Sequence, residues 1–450
     1  MDILLVNPPP QKQVVDQNET HFMTVSPPLG LAYIAAVLEE DGFTVRLACM
    51  PGERLKRADL EALLRREQPQ LIGITSMVNT YNNGLRIASI ARRLCPGAAI
   101  VMGGPHASFL GEETLAGGQV DAVCRFEGEL TMLELARHYL RGEGRLEEIR
   151  GIVYRKDGRT KATPERPFIE DLDELPLPAR HLLQLESYQY PGSVITGRGC
   201  PFNCAFCAAN AISGSRCRMR STKAVLEELE EIYRRYGLAK IFFLDDTFTV
   251  SKARVWEICA GIAERKLPLE WYCESRVNTV DAELLDVMYE AGCRVIQFGV
   301  ESGNDGILKK INKGISTGQV EQAVETALKR GVKVFCSMII GHPDDTHETV
   351  RDTIRLGEKL LHMAKKLGTV LRISFPVLTP LPGTRVYEDA EDLGLRFLSR
   401  NWDRYNFMEP VIETRRLTRE DIHNYIMDAN VRCPYEAGKE AAQPRIFGGE

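Results

Sequence analysis

Three cysteines, Cys200, Cys204 and Cys207, stand on one short segment that also contains Gly197 and Gly199. Thiolates are ligands for soft metal centres, and glycines let a backbone fold closely around one. Three thiolates can hold a four-iron four-sulfur cluster and leave one iron open to a further ligand. The alternative is a closed zinc or cluster site completed by Cys217. Zinc sites usually have a cysteine pair at each end, which the single Cys217 does not provide.

Four charged residues lie at or just after the ends of later apolar segments: Asp245, Glu274, Arg276 and Glu301. Carboxylates accept hydrogen bonds from an ammonium group or from ribose hydroxyls, and arginine can hold a carboxylate with two parallel bonds. These side chains therefore predict a polar ligand site. The alternative is a salt-bridge network among the four residues, since structural ion pairs occupy such positions as well.

The segments that carry these residues form a β/α series. Six strands are too few for a closed eight-stranded barrel, so we expect a partial (β/α)6 barrel. The cysteine loop follows the first strand and should lie at the carboxyl-end mouth, where barrels place their chemistry. The predicted strands are residues 193–196, 240–244, 269–273, 294–298, 333–340 and 371–375.

The N-terminal part alternates five apolar strands with helical periods, which predicts an α/β, flavodoxin-like doubly wound domain of the Rossmann type over residues 1–142. Ligands of such sheets bind beyond the carboxyl ends of the strands. The predicted strands are residues 3–6, 45–48, 71–75, 100–102 and 120–124. The small or polar residues expected at those ends include Asn7, Ser76, Gly103, Gly104, His106, Glu127 and Gly128.

Composition sets the remaining expectations. A chain of 450 residues favours several domains. We expect a connecting segment over residues 143–192, the barrel over 193–399 and a C-terminal capping segment over 400–450. A net charge of −5 argues against a surface that binds polyanions throughout. The N-terminus shows no signal-peptide pattern and no apolar run is long enough to span a membrane, so we expect a cytoplasmic protein with reduced cysteines.

The C-x₃-C-x₂-C loop, with Phe206 before its third cysteine, resembles that of the radical S-adenosylmethionine (SAM) superfamily, and the likeness covers residues 190–390. The resemblance implies a [4Fe-4S] cluster whose open iron binds SAM and whose reduction cleaves SAM to a 5′-deoxyadenosyl radical. It also implies an external electron donor such as flavodoxin or ferredoxin. The residues it places around SAM are Phe206, Asp245, Glu274, Arg276 and Glu301.

The N-terminal domain looks like the cobalamin-binding domain that precedes the barrel in a large subfamily of these enzymes. The D-x-H-x-x-G motif that supplies a lower axial histidine in many cobalamin proteins is absent. We therefore expect cobalamin without a protein histidine as its lower ligand. The residues assigned to cobalamin are Asn7, Ser76, Gly103, Gly104, His106, Glu127 and Gly128.

The two resemblances together imply a methyltransferase, with the two binding mouths facing each other across the substrate. SAM would methylate cobalamin, and methylcobalamin would give the methyl group to an unactivated carbon, with a slight preference for a peptide or protein substrate. No membrane or nucleic-acid partner is expected. The alternatives are a radical SAM enzyme that rearranges or cyclises its substrate, and a methylthiotransferase, whose second cluster has no clear cysteines here. A non-enzymatic cobalamin or iron–sulfur sensor would need an effector module, and no helix-turn-helix pattern stands out.

Overall fold

The computed structural model describes residues 1–10 and 26–434. The chain forms two compact units. Of these described residues, the first unit contains 1–10, 26–193, 211–214 and 401–406, and the second contains 194–210, 215–400 and 407–434. Within the described residues, no helix is both long enough and apolar enough to cross a membrane.

The first unit is built on a seven-stranded sheet. Its five parallel strands are β1 (Ile3–Asn7), β2 (Val45–Cys49), β3 (Leu71–Thr75), β4 (Ala99–Gly103) and β5 (Ala122–Cys124). They run in the order β2-β1-β3-β4-β5, which confirms the predicted flavodoxin-like topology. The segment predicted as a connection adds two antiparallel strands, β6 (Ile152–Lys156) and β7 (Arg159–Ala162). The residues of β7 are all exposed, so the strand has no apolar face that a sequence pattern could reveal.

Helices cover both faces of this sheet, and its central strands are therefore buried on both faces. In β1, Ile3, Leu4, Leu5 and Val6 are each at most 1% exposed. Such continuous burial requires apolar helix faces above and below the sheet. The helices of this unit are α1 (Leu29–Glu40), α2 (Arg57–Glu67), α3 (Tyr81–Leu94), α4 (Pro105–Phe109), α5 (Gly111–Ala116) and α6 (Glu129–Arg141).

The second unit contains a five-stranded parallel sheet in sequential order. The predicted first strand, residues 193–196, makes a single parallel bridge, between Val194 and Phe243. The sheet therefore contains five of the six predicted strands. The chain then pairs β8 (Gly197–Arg198) with β9 (Arg218–Met219), antiparallel. The sheet strands are β10 (Lys240–Phe243), β11 (Glu270–Ser275), β12 (Cys293–Glu301), β13 (Lys333–Met338) and β14 (Leu371–Ser374), and β15 (Arg396–Phe397) pairs with β16 (Ile412–Glu413).

Helices return the chain between these strands, and local signals fix where they begin and end. The longest, α13, starts with a capping box at Thr346 and Thr349 and ends at Gly368, whose φ of 64° suits glycine. The helices are α7 (Ala209–Ser213), α8 (Thr222–Tyr236), α9 (Lys252–Glu264), α10 (Ala282–Glu290), α11 (Asp305–Lys310), α12 (Thr317–Lys329), α13 (His347–Leu367), α14 (Arg385–Glu388) and α15 (Arg419–Arg432).

Candidate functional site

The cysteine loop, residues 200–207, leaves β8 and is tied to two other segments by hydrogen bonds. The Ala205 amide donates to the Ile311 carbonyl at 2.9 Å, and the Ala205 carbonyl accepts from the Val386 amide at 3.0 Å. The Asn312 side chain donates to the Asn203 carbonyl at 2.7 Å. The turn over residues 311–314 therefore supports the loop along its middle.

The three thiols of the cysteine loop lie on one short segment, as the ligands of an iron–sulfur cluster do. Cys207 keeps some accessible surface, yet the protein around it raises the pKa of its thiol to about 11 by burial, and charge on Cys204, Asp246 and Cys200 adds to the rise. The three thiols thus lie within electrostatic reach of one another. Across residues 1–10 and 26–434, no three His, Cys, Asp or Glu side chains converge as a single metal ion would require. Cubane ligands bind different irons and need not converge on one point.

Cys217 lies next to the base of the cysteine loop, just before β9. Its sulfur is 3.5 Å from the position that a Cβ on Gly197 would occupy. Burial raises the pKa of the Cys217 thiol to about 11, with further contributions from Asp245 and Cys200. Replacement of Cys217 therefore tests the closed-site alternative directly.

Asp245, at the end of β10, holds the start of the cysteine loop. Its carboxylate accepts hydrogen bonds from the Thr196 amide at 2.6 Å, the Gly197 amide at 3.1 Å and the Thr196 hydroxyl. Burial raises the pKa of Asp245, while these bonds and the charge of Arg254 oppose the rise. Both carboxylate oxygens are thus engaged within the protein, so we infer a positioning role for Asp245. The neighbouring Asp246 is exposed and better placed to meet a ligand.

Glu274, near the end of β11, is half-buried and interacts electrostatically with two other carboxylates. Burial raises its pKa from 4.5 to about 7, and the charges of Asp246 and Glu301 contribute to the rise. A carboxyl group with such a pKa is partly protonated near neutral pH. It can therefore donate as well as accept a hydrogen bond, which supports its predicted place in the SAM site.

This raised pKa predicts a stability change with pH that Glu274→Gln should remove. The native state keeps the Glu274 proton up to about pH 7, whereas the unfolded state releases it near 4.5. The native state therefore binds more protons in this window, and unfolding becomes easier as the pH rises through it. Thermal unfolding of the apoprotein across the window will measure the difference. Glu270→Gln, at the other end of β11, controls for loss of a carboxylate, and identical pH profiles for wild type and Glu274→Gln would contradict the assignment.

Glu301 ends β12 in an unusual backbone conformation and forms a buried ion pair. Its φ is 70°, beside a register shift between β12 and β13. The Lys313 ammonium lies 2.7 Å from Glu301 Oε1, and both side chains are at most 7% exposed. Gly299 makes room for the pair, since a Cβ there would lie 2.5 Å from Glu301 Oε1 and 2.8 Å from Lys313 Nζ. Sequence reasoning missed Lys313, which follows a helix rather than a strand.

Phe206 and Arg276 both contact this region. The Phe206 ring packs against the core of the second unit, with the Lys313 ammonium 5.8 Å from its centroid and the His342 ring at 6.0 Å. Arg276 is 5% exposed and contacts the cysteine loop directly. The structure thus gathers Phe206, Glu301 and Lys313 in one place, with Arg276 beside the loop.

In the first unit, the ends of β3 and β4 interlock. The Ser76 hydroxyl donates to the Gly103 carbonyl at 2.9 Å and accepts from the Ala107 amide at 3.2 Å. Gly104 has a φ of 89°, and a Cβ there would lie 2.7 Å from both the Ser76 amide nitrogen and the Ser76 carbonyl oxygen. The close packing at these strand ends therefore requires small residues. Their short side chains also let a large planar ligand approach the backbone.

His106 is buried at the start of α4. Its ring lies 4.7 Å from the Tyr81 ring and 4.5 Å from the Trp402 ring, and the Trp402 indole donates to Glu113 at 3.1 Å. Burial lowers the pKa of His106 to about 4, so its imidazole is neutral at neutral pH. Residues 401–406, predicted as part of the capping segment, thus pack within the first unit.

The remaining residues predicted for cobalamin have structural contacts of their own. The Glu127 carboxylate accepts a hydrogen bond from the Ile169 amide at 2.7 Å. Gly128 lies against α1, where a Cβ would be 2.8 Å from Ile34 Cδ1. The Asn7 carbonyl accepts from the Met50 amide at 3.1 Å, leaving its side chain at the end of β1. Their roles toward a cofactor stay predictions.

A parallel partial barrel with a three-cysteine loop, joined to a flavodoxin-like unit, defines the class of iron–sulfur radical enzymes that carry a second cofactor domain. Comparison with known families agrees. Residues 194–357 match the family model of the radical SAM superfamily, and residues 20–136 match that of the B12 binding domain.

Individual relatives and one solved structure are similar to most of the chain. An uncharacterized methyltransferase of Pyrococcus horikoshii is 37% identical over 439 residues, covering 96% of this chain and 92% of the relative. An anaerobic magnesium-protoporphyrin IX monomethyl ester cyclase of Rubrivivax gelatinosus is 26% identical, covering 89% and 72%. The radical SAM methyltransferase TsrM of Kitasatospora setae, solved with cobalamin and a [4Fe-4S] cluster, shares the fold with a TM-score of 0.73 and 19% identity, covering 96% of this chain and 89% of TsrM. The chain belongs to the cobalamin-dependent radical SAM methyltransferases.

Proposed function

We propose that the protein transfers a methyl group from SAM, by way of cobalamin, to an unactivated carbon of its substrate. The observation that carries the proposal is the three-cysteine loop at the carboxyl end of a parallel barrel, in one chain with a β2-β1-β3-β4-β5 unit. The cofactors are a [4Fe-4S] cluster, SAM and cobalamin. Together they supply a radical that abstracts hydrogen and a methyl group for the resulting carbon.

Different residues of the second unit hold the cluster, position the cysteine loop and bind SAM. Cys200, Cys204 and Cys207 hold the cluster, and Asp245 fixes the start of their loop through Thr196. The next two carboxylates, Asp246 and Glu274, can bind the SAM ammonium group, and Glu301 can accept from its ribose hydroxyls. The ring of Phe206 gives the adenine an apolar surface.

Residues of the first unit provide the place for cobalamin. The small residues Ser76, Gly103 and Gly104 form a low edge at the strand ends. Ligands of doubly wound sheets bind at this edge. The buried ring of His106, held between Tyr81 and Trp402, keeps that edge rigid.

We propose that an external donor supplies the electron, since the cysteine loop is the one cluster motif among residues 1–10 and 26–434. A flavodoxin or ferredoxin has the required low potential. The preference for a peptide or protein substrate stays a prediction, since none of the contacts described above selects the methyl acceptor.

Methyl-labelled SAM tests the proposal. The reconstituted protein is incubated anaerobically with cobalamin, a low-potential reductant and candidate acceptors, including peptides, lipids and tetrapyrroles. Mass spectrometry should find the intact labelled methyl group on carbon in one acceptor. The likeness to the cyclase of Rubrivivax gelatinosus favours ring closure as the second candidate. An acceptor that loses hydrogen without gaining the label would support cyclisation and contradict methyl transfer.

We further expect bound cobalamin to lack a histidine nitrogen as its lower ligand. His106 is 4% exposed and flanked by two aromatic rings, so its ring nitrogens are poorly accessible to cobalt. Paramagnetic resonance of the protein-bound Co(II) state should show no coupling to a protein nitrogen. A coupling would contradict the prediction, and its loss in His106→Ala would identify the ligand. His181→Ala, which removes an exposed imidazole of the same unit, is the control.

A further inference from the structure

Arg276, at the C-terminal end of β11, makes more contacts than a ligand-binding side chain requires. Its Nη1 donates to Cys204 Sγ at 3.4 Å, and its Nη2 donates to the Lys313 carbonyl. The guanidinium carbon lies 3.8 Å from the centroid of the Phe202 ring. Its Nε points to Asn278 Oδ1 at 3.4 Å. All three nitrogen atoms are thus directed at protein groups.

These contacts join the cysteine loop to the turn over residues 311–314. Phe202 and Cys204 belong to the loop, and Lys313 belongs to the turn. The same turn already bonds to the loop through Ile311 and Asn312. Arg276 therefore adds contacts to the cysteine loop from the end of β11. Its 5% exposure means that water does not compete strongly for these bonds.

We propose that Arg276 is a positioning residue that fixes the Cys204 thiolate and raises the reduction potential of the cluster held by the loop. A guanidinium remains charged at any working pH. A charged N–H donor on a ligand sulfur stabilises the more negative, reduced form of the cluster. The cluster then accepts an electron from its donor more readily.

This role replaces the one expected from sequence, in which Arg276 would grip the SAM carboxylate. A bidentate grip uses two parallel N–H bonds from the fork. Here both terminal nitrogens already donate, one to sulfur and one to a carbonyl. The proposal rests on the cluster assignment and does not depend on which carbon the enzyme methylates.

Two substitutions and a matched control test it. Arg276→Gln removes the charge and the fork, whereas Arg276→Lys keeps the charge but cannot make the same planar contacts. Arg294→Gln is the control. Arg294 also lies over an aromatic ring, 4.8 Å from the Tyr289 centroid, and donates to the Tyr289 carbonyl at 2.8 Å. It lies at the N-terminal end of β12, whereas Arg276 follows the C-terminal end of β11.

The first readout is the cluster midpoint potential, from a redox titration followed by paramagnetic resonance without SAM. We expect the ratio of reduced to oxidised cluster at a fixed potential to fall about tenfold in Arg276→Gln, a shift of about 59 mV for a one-electron couple. Arg276→Lys should shift less, and Arg294→Gln should match wild type. A wild-type potential in Arg276→Gln with full iron content would overturn the proposal.

The second readout needs no cluster. Hydrogen exchange of apoprotein peptides covering residues 200–207 should be faster in Arg276→Gln than in wild type or Arg294→Gln, because the loop loses its contacts to β11. If Arg276→Gln does not fold, Arg276→Lys takes its place in this comparison. Unchanged exchange would overturn the positioning role. Methyl transfer to a substrate is measured separately, so its failure would leave this result intact.

Discussion

Replacing Cys200, Cys204 or Cys207 by alanine will abolish the iron–sulfur cluster. Each thiolate is expected to bind a different iron, and two ligands on a short loop do not retain a cubane. Anaerobically reconstituted wild type should contain about four irons per chain, whereas each variant should contain close to none. Iron and sulfide analysis with visible absorption measures the loss.

Cys217→Ala is the matched control for these three variants. Its thiol is near the base of the loop and interacts electrostatically with Cys200, but it lies outside the C-x₃-C-x₂-C spacing. We expect this variant to keep the cluster. Equal cluster loss in Cys217→Ala would show a closed four-thiolate site and would remove the open iron on which SAM binding depends.

Separating Lys313 from Glu301 will strongly destabilise the barrel. Both side chains are almost fully buried, so Lys313→Met or Glu301→Gln leaves one unpaired group away from water. Breaking such a pair typically costs about 3–5 kcal/mol. Urea unfolding of the apoprotein, followed by a probe in the second unit, should show a loss of unfolding free energy of this size in either variant. Calorimetry should separately show weaker SAM binding.

The double variant and an exposed lysine separate the pair from its parts. Lys313→Met with Glu301→Gln should recover much of the stability but not the SAM affinity, because no buried charge is left unpaired. Lys310→Met breaks the exposed pair with Asp344 and should cost about 1 kcal/mol or less. Similar losses in Lys310→Met and Lys313→Met would contradict the importance of burial.

The sequence was sufficient to predict the two parallel α/β sheets, and it predicts the cysteine loop, because both leave local patterns. Continuous apolar strands such as β1 and β3 predict a parallel sheet, and the glycines and cysteines of the loop lie close together in sequence. The exposed strand β7 has no such pattern. The length of the first barrel strand was overestimated. An apolar segment does not reveal how many backbone hydrogen bonds it will make to the neighbouring strand.

Side-chain partners were the less predictable part of the site. Asp245 and Arg276 were expected to meet a ligand, but the structure pairs them with Thr196 and with the cysteine loop. Their partners are distant in sequence, so no local pattern reports them. Lys313 was missed for the same reason. The β-bulge that turns Glu301 toward it depends on the register between β12 and β13.

The most direct test of the central claim needs no knowledge of the substrate. The reconstituted protein is incubated anaerobically with cobalamin, a low-potential reductant and SAM that carries a deuterated methyl group. We predict cobalamin-dependent release of S-adenosylhomocysteine, with the intact deuterated methyl group recovered in the corrinoid fraction. Release of 5′-deoxyadenosine without S-adenosylhomocysteine, and no label on the corrinoid, would contradict methyl transfer through cobalamin.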